Sequence, residues 1–318
     1  MAQSQVGGGA VRSHTQNKGA QGIDAAMAFK GLLVLIMGIV VTYLAATFVV
    51  TTGGMIMAAS AGERVFAMSS TQLQPFANAL LARYPRWVSA ARYAVTFIPF
   101  ALWARALRRR ASQDAGGAPE KPAVRFGAGV LRGKDVATLV MVAVGLHDLS
   151  ALIATMVGAA MPWLLESYGK IVDQSGLEAY GADWFLSLIF GAPVVEETIF
   201  RGLGLGYLRA SGMRRGLANG IQALFFGIFH GNLFQAIYAT VLGMFLGDIC
   251  SRYNALAASM LVHAMVNIAS TVGSSIITTT IPGHYQWLLV VAQIAVLVAA
   301  YRRLPQNDAG PLADTASR

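Results

Sequence analysis

Hydrophobic residues run along this chain in long stretches that carry almost no charge. Because a helix rises about 1.5 Å per residue, about 20 apolar residues cross the hydrocarbon core of a bilayer. Eight stretches fit this length, two of them short: 31–60, 87–106, 136–164, 184–208, 217–231, 233–249, 255–277 and 285–301. The pattern predicts an all-α, polytopic membrane protein with about eight transmembrane helices. Few residues separate the fifth and sixth stretches, so a re-entrant hairpin is an alternative there.

The polar ends of the chain predict its domain organisation. Residues 1–30 are rich in Gly, Gln and Ser, which is typical of a disordered tail. Residues 31–301 are predicted to form one integral membrane domain, and residues 302–318 a C-terminal tail.

Composition supports a membrane protein and excludes several other classes. Of the 318 residues, 55% are hydrophobic and 12% are charged, whereas a soluble domain carries about 25% charged residues. A disordered chain or a coiled coil needs far more charge. Cys250 is the single cysteine, which excludes an internal disulfide and a cysteine-based zinc cluster.

Basic residues are distributed unevenly between the predicted loops. With both termini inside, the inner regions hold 18 Lys and Arg, the outer regions hold 5, and Arg201 lies within a span. Cytoplasmic loops carry such an excess, so we expect both termini in the cytoplasm. The net charge of +9 is therefore assigned to membrane lipid, and no nucleic-acid partner is expected. All five tryptophans lie at predicted span ends, where amphipathic rings prefer the headgroups.

The fourth span carries the most charge at membrane depth. Glu197 and Arg201 stand four residues apart on one helical face and are expected to form an ion pair. Glu196 points about 100° away from that face. An unpaired carboxylate inside a membrane is by default a candidate for function.

Three polar side chains of the later spans complete a candidate site. His263 and Asn267 share one face of the seventh span, and His230 ends the fifth, just before Gly231. At about 1.5 Å per residue, Glu196, His230 and His263 lie about 14 to 22 Å from the cytoplasmic side, so they can share one layer. A carboxylate, two imidazoles and an amide in one pocket are suited to activating water and stabilising an oxyanion.

Other ionisable residues of the spans receive structural interpretations. His147 and Asp148 in the third span are interpreted as a locally satisfied polar kink, with a place beside the pocket as the alternative. Asp248 is expected at the cytoplasmic boundary near Arg252.

Three ordered motifs resemble the CPBP family of intramembrane proteases, which comprises the type II CAAX prenyl protease and bacteriocin-processing (Abi) group. They are Glu-Glu-x-x-x-Arg at 196–201, Phe-x-x-x-His at 226–230 and His-x-x-x-Asn at 263–267. The resemblance implies a catalytic core at about 184–269 within an eight-helix fold whose active site opens toward the cytoplasm. It also implies that Glu196, helped by His230, activates water, that His263 and Asn267 stabilise the oxyanion, and that Glu197 and Arg201 support the site.

The residue types are compatible with two classes of protease, one that depends on a metal ion and one that does not. Glu196, His230 and His263 are zinc ligands by type, so a divalent metal such as zinc is one alternative. The helical His-Glu-x-x-His motif of many zinc proteases is absent from the sequence. A metal-independent glutamic protease is the other alternative.

The leading hypothesis is an intramembrane endopeptidase that cleaves a peptide or protein substrate near the membrane. One alternative is a non-catalytic scaffold or bacteriocin-immunity protein with the same fold. Another is a proton-coupled transporter, which inverted repeats would favour; the sequence shows none. The short chain, rich in Arg, Ala and Gly, suggests a multi-pass protein of a bacterial cytoplasmic membrane.

Overall fold

The computed structural model describes residues 23–113, 131–175, 181–273 and 283–306, and this part of the chain is all-helical. Parts of both predicted tails, 1–22 and 307–318, and residues 274–277 of the seventh stretch lie outside the described residues. We number the helices in chain order: α1 Ala25–Ser60, α2 Ser70–Arg83, α3 Pro85–Gln113, α4 Gly133–Ala160, α5 Pro162–Ser175, α6 (182–210), α7 Arg215–Phe229, α8 Leu233–Tyr253, α9 Leu256–Ile268 and α10 Gly283–Arg302.

Side-chain caps set several helix starts. Helix α1 begins at Ala25, earlier than the predicted 31, because the Asp24 side chain accepts hydrogen bonds from the backbone N–H groups of Ala26 and Met27. At the start of α2, Ser69 and Gln72 form a capping box, which satisfies two N–H groups that the helix leaves unpaired. Sequence reasoning assigned no helix to α2 or α5, which are less apolar and connect the longer helices.

Four described helices are long and apolar enough to cross a membrane: Ala25–Ser60, Gly133–Ala160, Leu233–Tyr253 and Tyr285–Arg302. The other four predicted spans correspond to α3, α6, α7 and α9. Charge within α6 and the short length of α7, which has 15 residues, set them apart from simple apolar spans. These helices indicate that the chain is an integral membrane protein. That it crosses the membrane eight times remains a prediction.

Basic residues gather at one set of helix ends, which we call the basic face. Two contacts hold these ends together: the Asp24 backbone N–H donates to the Ser211 oxygen at 2.8 Å, and Asp248 pairs with Arg215 across 2.6 Å. The other helix ends form the opposite face, where Arg86 pairs with Asp183. The described residues of the basic face are Lys30, Arg105, Arg109, Arg132, Lys134, Arg209, Arg214, Arg215, Arg252, Arg302 and Arg303.

Helix α6 lies at the centre of the bundle and contacts α1, α3, α7, α8 and α9. Its buried side chains Ile199, Leu203 and Leu208 pack in one cluster with Val34 and Leu35 of α1. The outward sides of the peripheral helices expose large apolar residues such as Phe48, Met156 and Val291. The charged residues of the fourth predicted span therefore lie in the buried part of this central helix, residues 191–208, whereas Phe185 and Phe190 nearer its start are exposed.

Candidate active site

Helix α6 changes its winding on both sides of the two glutamates. An α-helical segment, Ala192–Glu197, lies between two π-helical segments, Phe185–Gly191 and Thr198–Leu205. Pro193 stands in the first turn of the α-helical segment, and a proline inside a helix removes one hydrogen bond of the regular ladder. π-Helical turns are rare and are frequent at functional sites, but the sequence patterns carried no signal for them.

Glu197 is fully buried and binds two partners through one oxygen. Its Oε1 accepts from Arg201 Nη1 at 2.9 Å and from His263 Nδ1 at 3.0 Å. The ion pair expected from the spacing of Glu197 and Arg201 is thus present. The bond to His263 joins α6 to α9 and was not predicted, since 66 residues separate these two positions.

Arg201 is also fully buried and is held from three sides. Besides Glu197, it donates through Nη2 to the Gly243 oxygen at 3.2 Å. Its Cζ lies 4.2 Å from the centre of the Phe226 ring, a cation–π geometry. A buried ion pair costs desolvation free energy, which such added contacts offset. These contacts therefore hold the Arg201 guanidinium in one position next to Glu197.

Glu196 has a different environment from its neighbour. Its Oε1 accepts a hydrogen bond from the Tyr93 hydroxyl of α3 at 2.8 Å. Its Oε2 is buried, has no hydrogen-bond partner among the described residues, and lies 3.9 Å from His263 Nε2. One oxygen is thus oriented by a tyrosine that sequence reasoning missed, and the other is left for a further ligand. A tyrosine within an otherwise apolar stretch was the signal that could have found Tyr93.

His230 ends α7 and is oriented by its own helix. Its Nδ1 lies 2.8 Å from the Phe226 carbonyl oxygen; because that oxygen only accepts, Nδ1 carries the proton and Nε2 has a free lone pair. Gly231 follows with φ of 72°, a left-handed conformation that glycine adopts without strain. The turn lets α8 begin at once and leaves the imidazole at the edge of the bundle interior. Glu196 and His263 are close enough to His230 for their charges to act on its imidazole ring.

Asn267 lies one turn beyond His263 on α9. Its Nδ2 donates to the Leu188 oxygen at 2.9 Å, in the first π-helical segment of α6. An amide nitrogen carries two hydrogens, so one N–H remains for another acceptor.

A cavity of about 660 Å³ adjoins these residues. His230, His263 and Asn267 line it, together with Gln235 and Tyr238 of α8. Glu196 is not part of the lining, because it lies deeper, next to His263. The structure thus brings all four predicted catalytic residues to one region, with the carboxylate behind the cavity wall.

Among the described residues, no three His, Cys, Asp or Glu side chains come together in a way that could hold a metal ion. Glu196, His230 and His263 are therefore neighbours without converging as a ligand set. This arrangement does not fit zinc, which needs three or four ligand atoms at about 2.0–2.3 Å.

The interpretation of His147 and Asp148 as a locally satisfied kink is incomplete. Helix α4 is regular from Gly133 to Ala160, and although His147 Nε2 lies 3.9 Å from Asp148 Oδ1, both residues also contact other parts of the bundle. His147 Nδ1 lies 3.1 Å from Ser270 Oγ, beyond α9, and the Gln293 amide of α10 lies within hydrogen-bond distance of Asp148. Since Ser270 lines the cavity, the alternative of a place beside the pocket describes His147 better.

Comparison with known protein families gave a match, which spans the predicted residues of the candidate site. Residues 180–269 match the family model described as type II CAAX prenyl endopeptidase, Rce1-like. The matched segment contains all three motifs that indicated this group. Neither a search of curated proteins nor a search of solved structures gave a match.

Proposed function

Since residues 180–269 carry an Rce1-like domain of the type II CAAX prenyl endopeptidases, we propose that this chain hydrolyses a peptide bond by direct attack of water. Glu196 is the general base in this proposal. The carrying observation is the contrast between two carboxylates that each have a buried Oε2 without a hydrogen-bond partner among the described residues: Glu197 is paired with Arg201 and His263 through Oε1, whereas Glu196 has only the neutral Tyr93 hydroxyl on Oε1. A buried carboxylate oxygen without a partner is costly, and a water molecule at that point would satisfy it.

The neighbours of Glu196 supply the remaining steps. Glu196 takes a proton from water, and the oxygen attacks the carbonyl carbon of the scissile bond. The carbonyl oxygen then becomes negative, and the second N–H of Asn267 stabilises that charge. When the tetrahedral intermediate collapses, the C–N bond breaks and the leaving nitrogen takes up the proton that Glu196 removed from water. His230, with a free lone pair on Nε2, relays this proton from Glu196 to the leaving nitrogen, which returns Glu196 to its carboxylate form.

Glu197 and Arg201 act as positioning residues in this proposal. Glu197 fixes the His263 ring through Nδ1, so that Nε2 points toward Glu196. Arg201 fixes Glu197 in turn. A carboxylate that orients an imidazole from behind is a recurrent arrangement in hydrolytic sites.

The test compares peptide termini in membranes from cells that produce the wild-type chain or Glu196→Gln at matched abundance. We expect a set of new termini with the wild type and its loss with Glu196→Gln, which keeps the volume of the side chain but removes its basicity. Glu166→Gln is the matched control, because Glu166 is exposed on α5 and, among the described residues, pairs with exposed Lys170. Membranes with this variant should give the same peptide termini as those with the wild type. Wild-type termini in the Glu196→Gln membranes would overturn the role of Glu196.

A further inference from the structure

Two side-chain hydroxyls hold the backbone on both sides of Asn267. The Ser270 hydroxyl donates to the Val266 oxygen at 2.8 Å, and the Thr271 hydroxyl donates to the Asn267 oxygen at 2.9 Å. These two carbonyls belong to the peptide units that precede and follow the Cα atom of Asn267. The position of the asparagine therefore depends on Ser270 and Thr271, which lie about one turn further along the chain.

Both hydroxyls lie beyond the regular part of α9. The helix ends at Ile268, and Ala269–Gly273 continue it with π-helical winding. Ser270 and Thr271 of this segment line the cavity next to Asn267. Since π-helical turns are rare, we expect contacts from another helix to stabilise the winding here.

His147 of α4 supplies such a contact. Its Nδ1 lies 3.1 Å from Ser270 Oγ. Because the single hydroxyl hydrogen of Ser270 points to the Val266 oxygen, Oγ accepts the bond and His147 Nδ1 donates it. A chain of two hydrogen bonds thus runs from α4 through Ser270 to the peptide unit that precedes Asn267. His147 is not part of the described cavity lining, so it acts on this wall from behind.

Helix α4 is itself held against α10 next to His147. A Cβ atom added at Gly145 would meet Leu297 Cβ, and it would lie 2.9 Å from the Gln293 oxygen. The Gln293 amide also lies within hydrogen-bond distance of buried Asp148. The imidazole of His147 therefore projects from a part of α4 that has little room to shift.

We propose that His147 is a positioning residue for the oxyanion side of the site, an inference that rests on the proposed function. Through Ser270, His147 fixes the backbone of Asn267. The Asn267 side chain then keeps one N–H on the Leu188 oxygen and presents the other to the carbonyl oxygen that becomes negative. His147 thus stabilises the transition state without touching the substrate.

Cleavage kinetics on a substrate found by terminus analysis test this role. His147→Leu removes the donor and keeps an imidazole-sized side chain. We expect kcat to fall about 10- to 100-fold, because small misplacements of a catalytic group have effects of this size. KM should change little, since an oxyanion donor acts mainly in the transition state. His147→Asn, whose amide N–H reaches the position of Nδ1, should restore most of kcat.

A double variant tests whether His147 acts through Ser270. Ser270→Ala removes the hydroxyl that joins His147 to the backbone of Asn267, and we expect it to lower kcat as well. The chain with both His147→Leu and Ser270→Ala should be no slower than Ser270→Ala alone, because the two residues act on one chain of hydrogen bonds. Losses that simply add would overturn the link.

The position of Asn267 is also measurable without activity. In detergent micelles, the side-chain amide signal of Asn267 in a chain with 15N-labelled asparagine is assigned by its absence in Asn267→Ala. We expect His147→Leu to shift this signal and His147→Asn to shift it less. Thr155→Val is the control on the same helix, since the Thr155 hydroxyl bonds to the Ala151 oxygen of α4 itself at 2.9 Å. It should leave both the signal and kcat unchanged.

Three results would overturn the positioning role: wild-type kcat in His147→Leu, equal losses of kcat in His147→Leu and His147→Asn, or an Asn267 signal that does not respond to His147→Leu. A wild-type chain without proteolytic activity, whose Asn267 signal still responds to His147→Leu, would refute the proposed function and leave the link from His147 to Asn267 intact.

Discussion

Two adjacent carboxylates in this protein have separate tasks because their partners differ. Glu197 is neutralised by Arg201 and bonded to His263 through the same oxygen. Glu196 has only a neutral donor, Tyr93, on one oxygen. The second oxygen of each carboxylate is buried without a hydrogen-bond partner among the described residues, so the two differ in whether a cation neutralises them. At the scale of the residue, the site therefore separates a structural carboxylate from one that is available for chemistry.

Tyr93→Phe tests whether the tyrosine positions the base. Without its hydroxyl, Glu196 loses the bond that orients Oε1, and we expect kcat to fall about 10- to 100-fold, since small misplacements of a catalytic group have effects of this size. KM should change little, because Tyr93 is not part of the described cavity lining. Cleavage kinetics on a substrate found by terminus analysis provide the measurement.

Tyr207→Phe is the control for this prediction. Tyr207 is buried like Tyr93 and accepts a hydrogen bond from Trp103 at 3.1 Å, but it lies toward the basic face. Its loss should leave kcat unchanged. An equal fall of kcat in both variants would mean that Tyr93 acts through general stability alone.

At the scale of the element, the antiparallel pair α7 and α8 places His230. The chain turns at Gly231 within three residues, and Asn232 caps α8 by accepting from the Gln235 N–H at 2.7 Å. Close approach of the two backbones then fixes the end of α7. A side chain at Gly227 would meet the Ala236 carbonyl oxygen at 2.6 Å and the Thr240 hydroxyl.

Gly227→Ala is therefore expected to lower the free energy of unfolding by about 1–3 kcal/mol, as overpacking does, and to reduce activity by shifting His230. Unfolding in mixed micelles, followed by circular dichroism, provides the measurement. Gly220→Ala in the same helix is the control, since a Cβ there meets nothing within 4 Å. Alanine is the better helix former by about 0.5–1 kcal/mol, so this variant should be at least as stable as the wild type; equal losses in the two variants would contradict the close contact.

At the scale of the whole molecule, one carboxylate joins three helices at the basic face. Asp248 of α8 accepts from Arg215 of α7, from Arg252 of α8 and from the Tyr301 hydroxyl of α10. Its expected proximity to Arg252 is confirmed, and the links to α7 and α10 are additions of the fold. This cluster connects α10 to α7 and α8.

Asp248→Asn should lower the free energy of unfolding by about 1–2 kcal/mol, less than the upper range for hydrogen bonds to charged groups because the side chain is 22% exposed. The same variant should leave the cleavage rate of folded protein unchanged, since Asp248 is remote from the cavity. Asp173→Asn, at an exposed position of α5, is the control and should unfold like the wild type. Equal stability of all three proteins would show that the cluster does not fasten α10.

The order of residues along the chain by itself determined the positions of most helices, one ion pair and the segment that matches a family. Apolar length placed eight of the helices, and helical spacing determined the Glu197–Arg201 pair, because both depend on residues within a few turns of one another. The motif order indicated the family segment, and charge asymmetry distinguished one face from the other.

Tertiary structure alone decided the contacts between distant residues. Tyr93 and Glu196 are 103 positions apart in the sequence, and His147 and Ser270 are 123 positions apart. No local sequence pattern contains such pairs. The π-helical segments of α6 likewise form in the packed bundle, where neighbouring helices stabilise a winding that periodicity does not encode. The cavity was decided in the same way, because its lining combines residues of α4, α5, α7, α8 and α9.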